Sequence, residues 1–174
     1  MKLMDNSGPD LFCHNALLFH ITLITVALHL TLFIRGYFLF ETFTYISALL
    51  TSSLLFGGML LFAASFAAFL FKCLPPAEAS ALIRKAFPPF YVFVIIASLI
   101  GALLAFANSL FSASILALIA LSTIPTRQIL MPAINAASDA KLKQRFLVLH
   151  GLSVVITLAH IVAVACVIVD LATH

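Results

Sequence analysis

Residues 145–160 read RFLVLHGLSVVITLAH, and the apolar run continues as IVAVACVIVDL to Leu171. From Phe146 to Leu171 the single charged residue is Asp170, near the far end. A run longer than the roughly 18 apolar residues that cross a bilayer predicts a transmembrane helix. Its polar positions, His150, Ser153, Thr157 and His160, follow a 3, 4, 3 spacing. At 3.6 residues per turn that spacing places all four on one narrow face over about 15 Å. A polar stripe on a helix made for lipid is expected to face the interior of a bundle, where it can meet partners.

The rest of the chain has the same character. Hydrophobic residues make up 64% of its 174 residues and charged residues 9%, with a mean hydropathy of +1.22, whereas a soluble domain is about half apolar and about a quarter charged. This composition predicts an all-α, polytopic membrane bundle, and no barrel-like alternation competes with it. A formal net charge of +3, confined to a few loops, does not suit nucleic-acid binding. The start carries Asp5, Asp10 and a Gly8-Pro9 break with no small-residue cleavage site after the apolar stretch, so the first helix is expected to be retained. Cys13, Cys73 and Cys166 are far apart and form no CxxC pattern, which reads as apolar filler.

Five spans are predicted: Leu11–Ile34, closed by Arg35-Gly36; Thr42–Phe71, closed by KCLPP; Phe90–Phe106; Ala113–Met131, interrupted by Pro125 and Arg127; and Phe146–Leu171. Lys72, Arg84 and Lys85 follow the second span, and Arg127, Lys141, Lys143 and Arg145 follow the fourth. The positive-inside rule puts both connections in the cytoplasm, hence an inner-membrane protein with a cytoplasmic amino terminus. Were the first segment merely interfacial, four spans would remain with the amino terminus outside. AEASALIRKAF, between Pro75-Pro76 and Pro88-Pro89, is too short to cross and reads as a helix lying on the surface, with Arg84 and Lys85 toward anionic headgroups. Tyr37, Tyr45 and Tyr91 are expected in the interfacial aromatic belts.

On the first span Asn15, Thr22, Thr25 and His29 share a face, while His20 and Thr31 point away. If the first and last helices run in the same direction, His29 and His160 fall within roughly 5 Å of the same depth, with His14 and His150 similarly placed near the cytoplasmic side. Facing histidines at one depth are what axial ligation of haem b requires, so His29 and His160 form the candidate axial pair. The competing reading is interhelical hydrogen bonding by the histidines and hydroxyls, with proton relay or quinone contact as further roles. Small residues on the second span, among them Thr51, Gly57, Gly58 and Ser65, predict close helix packing, with Gly58 seven residues from both Thr51 and Ser65. Arg127, at the Pro125 break, reads as a snorkelling side chain or as the cation of an anion site. No catalytic Ser/His/Asp set, phosphate loop, carboxylate pair or metal-ligand cluster is visible, and the six acidic residues lie near predicted span ends, which disfavours transport driven by a buried carboxylate.

Two blocks carry a resemblance. FGGMLLFAASFAAFLFKCLPPAEASALIRKAFPPFY (56–91) and RFLVLHGLSVV (145–155) resemble the transmembrane protein 205-like family, in particular its bacterial branch, itself a domain of unknown function. The likeness covers residues 44–172 and implies a four-helix core, to which residues 1–40 add a helix in front, within one membrane domain spanning 1–174. Thr157 stands where the family pattern has Asn, and MPAIN replaces the Glu-Pro of eukaryotic relatives. The resemblance implies a shared role for His150 and Ser153 at the cytoplasmic start of the last helix. Taken together, these features predict a noncatalytic membrane protein that acts through contacts with lipid and with other membrane subunits or copies of itself, as an accessory subunit of a larger assembly. A haem b redox protein and a small-solute transporter are the alternatives.

Overall fold

The computed structural model describes residues 8–173, with side chains from Ile24 onward. Lys2, Asp5, His174 and the side chains of Asp10, Cys13, His14, Asn15, His20 and Thr22 lie outside the described residues. Every element among the described residues is helical. Helix α1 (Gly8–Leu60) passes through a first π segment (Leu61–Phe66) into α2 (Ala67–Cys73), and α3 covers Pro76–Ala105. Helix α4 (Leu110–Pro125) passes through a second π segment (Thr126–Leu130) into α5 (Met131–Asp139), and α6 covers Lys143–Thr173. Among the described residues, four stretches are long and apolar enough to cross a membrane: Ile24–Cys73, Pro76–Ala105, Leu110–Asp139 and Lys143–Thr173. The protein is a multi-pass helical membrane protein.

Two sequence-predicted boundaries are not helix ends. Arg35 and Gly36 lie inside α1. A glycine within a helix costs only about 1 kcal/mol relative to alanine, which a long apolar run of helix formers can absorb. Pro88 and Pro89 lie inside α3, so AEASALIRKAF and the third predicted span are one helix. Each proline deprives one carbonyl of its partner, and the carbonyls concerned, four residues earlier at Arg84 and Lys85, sit near the charged end of the helix, where water can take their place. At Pro125 the predicted interruption takes the form of the second π segment, in which the helix widens without breaking.

The chain divides between Thr42 and Phe43 into two units. In the first unit, the side chains from Ile24 to Thr42 are all exposed. The hydroxyls of Thr31 and Thr42 donate to the carbonyls of Ala27 and Phe38, at 2.8 and 2.9 Å, the local way for a hydroxyl in an apolar setting to find an acceptor.

In the second unit, the part of α1 from Phe43 onward packs with α3, α4 and α6 around Leu55, Met59, Val94, Leu116, Val164, Val167 and Leu171. Small residues bring these helices together: a Cβ at Gly101 would stand 3.2 Å from Leu116 Cδ1, and one at Gly58 would stand 2.8 Å from Phe93 Cε1. Two buried hydroxyls are satisfied within their own helices, Ser98 by Val94 and Thr123 by Ile119, whereas the buried Ser52 hydroxyl has no hydrogen-bond partner among the described residues. One end of the bundle is tied by polar groups. Ser109 caps α4 by accepting from the Ser112 N–H, and the hydroxyls of Ser109 and Ser112 both donate to Asp170 Oδ2 at 2.6 Å. Nearby, Asn108 Nδ2 donates to Thr44 Oγ1 at 3.1 Å.

Candidate functional site

At the opposite end, toward the α2–α3 and α5–α6 connections, the second unit forms a partly open cavity of about 490 Å³. Its walls come from the first π segment with α2, the start of α3, α5, and the first half of α6. A π turn holds an extra residue and widens the helix. In the first π segment no residue is buried, and its small side chains Ala63 and Ala64 face open volume. Large rings prop the space open. Phe62 stacks on Phe90 with centroids 3.9 Å apart and meets Phe87 edge-on at 5.3 Å, and Phe87 in turn lies 5.7 Å from Tyr91. Across the cavity, His150 stacks on Phe146 at 5.4 Å.

The polarity of the lining is graded. Ser80, Arg84, Asn135 and Ser138 gather toward the connections, whereas Leu60, Phe62, Phe90, Met131, Leu158 and Ile161 line the other part together with the hydroxyl-bearing Tyr91, Ser153 and Thr157. Arg84 Nη1 donates to Asp139 Oδ1 at 2.6 Å and Nη2 to Ser138 Oγ at 2.9 Å, joining α3 to α5. Tyr91 is not in an interfacial belt: it is 5% exposed and lines the cavity together with Ser153. Its ring is held in the bundle by the aromatic cluster.

The α6 stripe is divided between two surroundings. His150, Ser153 and Thr157 line the cavity, with Ser153 buried and the Thr157 hydroxyl donating to the Ser153 carbonyl at 2.9 Å. His160 instead meets α4, its Nε2 lying 2.9 Å from Ser122 Oγ. Ser122 already donates to the Leu118 carbonyl at 2.7 Å. A hydroxyl has one proton, so His160 Nε2–H is the donor to Ser122. Beside His160 is a void of about 10 Å³, also lined by Tyr91, Thr123, Thr126 and Thr157, the size of a single water site.

His29 belongs to the first unit. Its Nδ1–H donates to the Thr25 carbonyl at 2.8 Å, which leaves Nε2 as the nitrogen with a free lone pair in the neutral ring. Among the described residues no group of three or more His, Cys, Asp or Glu side chains could hold a metal ion. Of the packing positions, Gly58 meets Phe93, Thr51 Cγ2 lies 3.7 Å from where a Gly101 Cβ would be, and Gly57 has nothing within 4 Å. Ser65 is exposed in the first π segment. Arg127 lies in the second π segment, is absent from the cavity lining, and has a buried Nε without a hydrogen-bond partner.

The residues that shape the cavity, Phe62, Phe87, Phe90, Arg84 and Asn135, were not candidates from pattern alone. For the three rings the signal is the density of Phe and Tyr in residues 56–91, and the sequence singles out Arg84 only for a surface helix. A family model described as a domain of unknown function, DUF4149, matches residues 50–143. The chain belongs to the DUF4149 family. The DUF4149 match takes in three of the four cavity walls, those of the first π segment with α2, of α3 and of α5, and stops where α6 begins. No curated protein and no solved structure matches the chain.

Proposed function

We propose that this DUF4149 protein is a noncatalytic membrane protein that holds an amphipathic molecule drawn from the bilayer in the cavity of its helical bundle. The observation that carries this reading is the cavity itself: about 490 Å³, within the range of pockets that bury a small ligand, aromatic and aliphatic over most of its lining and polar toward one end. In hydrocarbon such a space is filled from the membrane. The Lys72, Arg84, Lys85 and Lys141, Lys143, Arg145 connections are read as cytoplasmic, in an inner membrane. Because α1 runs unbroken through Arg35-Gly36, the chain is read with four spans, which places the amino terminus on the side opposite those connections. Native mass spectrometry of the protein released from nanodiscs tests the function: one retained amphiphile per chain is expected, and a bare chain under the gentlest release would overturn the reading.

A second reading, an accessory subunit of a larger assembly, is favoured by residues 24–43, in which every side chain is exposed, Phe33 at 74% and Phe38 at 66% among them. Cross-linking from these positions in whole membranes separates a protein partner or a second copy from lipid. The haem reading requires His160 to exchange Ser122 for iron, or to turn its other nitrogen to the metal. The transport reading requires Arg127 to reach the cavity. Kinship with the transmembrane protein 205-like family rests on residues 56–91 and 145–155, of which the first block lies within the DUF4149 match.

A further inference from the structure

We infer that the occupant of this cavity is a single-chain amphiphile with an anionic head, a carboxylate or phosphate monoester, and that Arg84 is its anchor. The inference rests on the proposed cavity function and goes further by assigning the head its charge. Among the described residues, Arg84 is the only Lys, Arg, Asp or Glu in the lining. Around that end Lys72, Lys85, Lys141, Lys143 and Arg145 outnumber Glu78 and Asp139. A cationic head would be repelled there, and a neutral one gains nothing from the excess, whereas an anion is concentrated by it.

Arg84 is already paired, with Asp139 and Ser138, but its pairing leaves room for a ligand. A guanidinium has five N–H donors in a planar fork. Its carboxylate partner Asp139 has a side chain that is 65% exposed, and an ion pair with so much water around one member is weakly held. A carboxylate or phosphate arriving from the cavity side can take the free edge of the fork or displace Asp139 into water, and bidentate recognition of such groups is what arginine does best. Ser80 and Asn135 stand at the same end to complete the contacts.

The dimensions suit one chain. Along α6 the lining extends from Phe146 to Ile161, about 22 Å at 1.5 Å per residue, somewhat more than one leaflet of a hydrocarbon core about 30 Å thick. Of the deeper hydroxyls, that of Thr157 already donates to the Ser153 carbonyl. The charge places the head at Arg84 and the tail among the rings of Phe62 and Phe90.

The test is photolabelling in nanodiscs with three diazirine-bearing probes of equal chain length: palmitate, hexadecyl phosphate and the neutral hexadecanol, with labelled residues mapped by mass spectrometry. The acid and the phosphate are expected to label the cavity rings about tenfold more than the alcohol does, and Arg84→Gln to abolish that preference while leaving labelling by the alcohol intact. Asp139→Asn is expected to raise labelling by both anions. Excess inorganic phosphate that competes with both anionic probes would show that the head alone is recognised, in which case the anion site stands and the single-chain assignment falls. Equal labelling by acid and alcohol in the native protein overturns the anionic head whatever the fate of the variants, and leaves the cavity function standing. No cavity labelling by any probe overturns both.

Discussion

Gly57 and Gly58 are chain neighbours whose substitution by alanine should act in opposite directions. Nothing lies within 4 Å of a Cβ at Gly57, while a Cβ at Gly58 would stand 2.8 and 2.9 Å from Cε1 and Cζ of Phe93, a ring packed against the buried core. Both substitutions gain the same helix preference, up to about 1 kcal/mol. Gly58→Ala alone incurs overpacking, which costs about 1–3 kcal/mol where a core side chain must shift. The helix term cancels in the comparison, so the difference between the variants is the packing term by itself. For a chain of this length, each kcal/mol moves a melting temperature by about 2–4 °C. Thermal unfolding in one detergent, followed by circular dichroism, should place Gly57→Ala at or above the native protein and Gly58→Ala at least about 2 °C below Gly57→Ala. Adding Phe93→Leu should erase most of that difference, because the two positions are coupled. Equal melting of the two alanine variants would refute the close approach of α1 and α3 at Phe93.

Asp170→Ala removes the acceptor shared by Ser109 and Ser112; a loss of about 1–3 kcal/mol is expected in chemical unfolding from mixed micelles, with Asp170→Asn retaining part of it. His160→Ala and Ser122→Ala should each destabilise, and the double variant should fall short of their sum by about 0.6–1.7 kcal/mol; strict additivity would mean that the α4–α6 hydrogen bond contributes nothing. Ala63→Phe places a ring in the cavity wall and should displace the copurifying amphiphile while the melting temperature holds or rises, as read by native mass spectrometry beside a thermal melt.

What the sequence made legible was whatever depends on solvent and local chain chemistry. Apolar runs gave helices, KCLPP gave a connection, and Pro125 marked a disturbance. On α6, a regular helix, the 3, 4, 3 spacing keeps its geometric meaning, with His150, Ser153 and Thr157 at the cavity and His160 against Ser122. On α1, Gly58 approaches Phe93 and Thr51 lies near Gly101, while Ser65 lies beyond the start of the first π segment at Leu61, where a wider turn rotates every later position away from the face that 3.6 residues per turn would assign. Pro88-Pro89 misled for another reason: proline pairs end helices where the orphaned carbonyls have no partner, and near the charged end of α3 those carbonyls are within reach of water. The cavity was illegible because it is made by side chains from four stretches far apart in the chain, with Phe62 and Phe90 meeting only after the bundle has formed.

The most direct test of the cavity's role is a structure determined in a lipid nanodisc, with a rigid fiducial fused to the protein. An elongated density running from Arg84 and Ser138 past Phe146 toward Phe62 and Phe90 is the predicted result. Walls closed upon each other, with Phe146 and His150 packed directly against Phe62 and no space between, would contradict it.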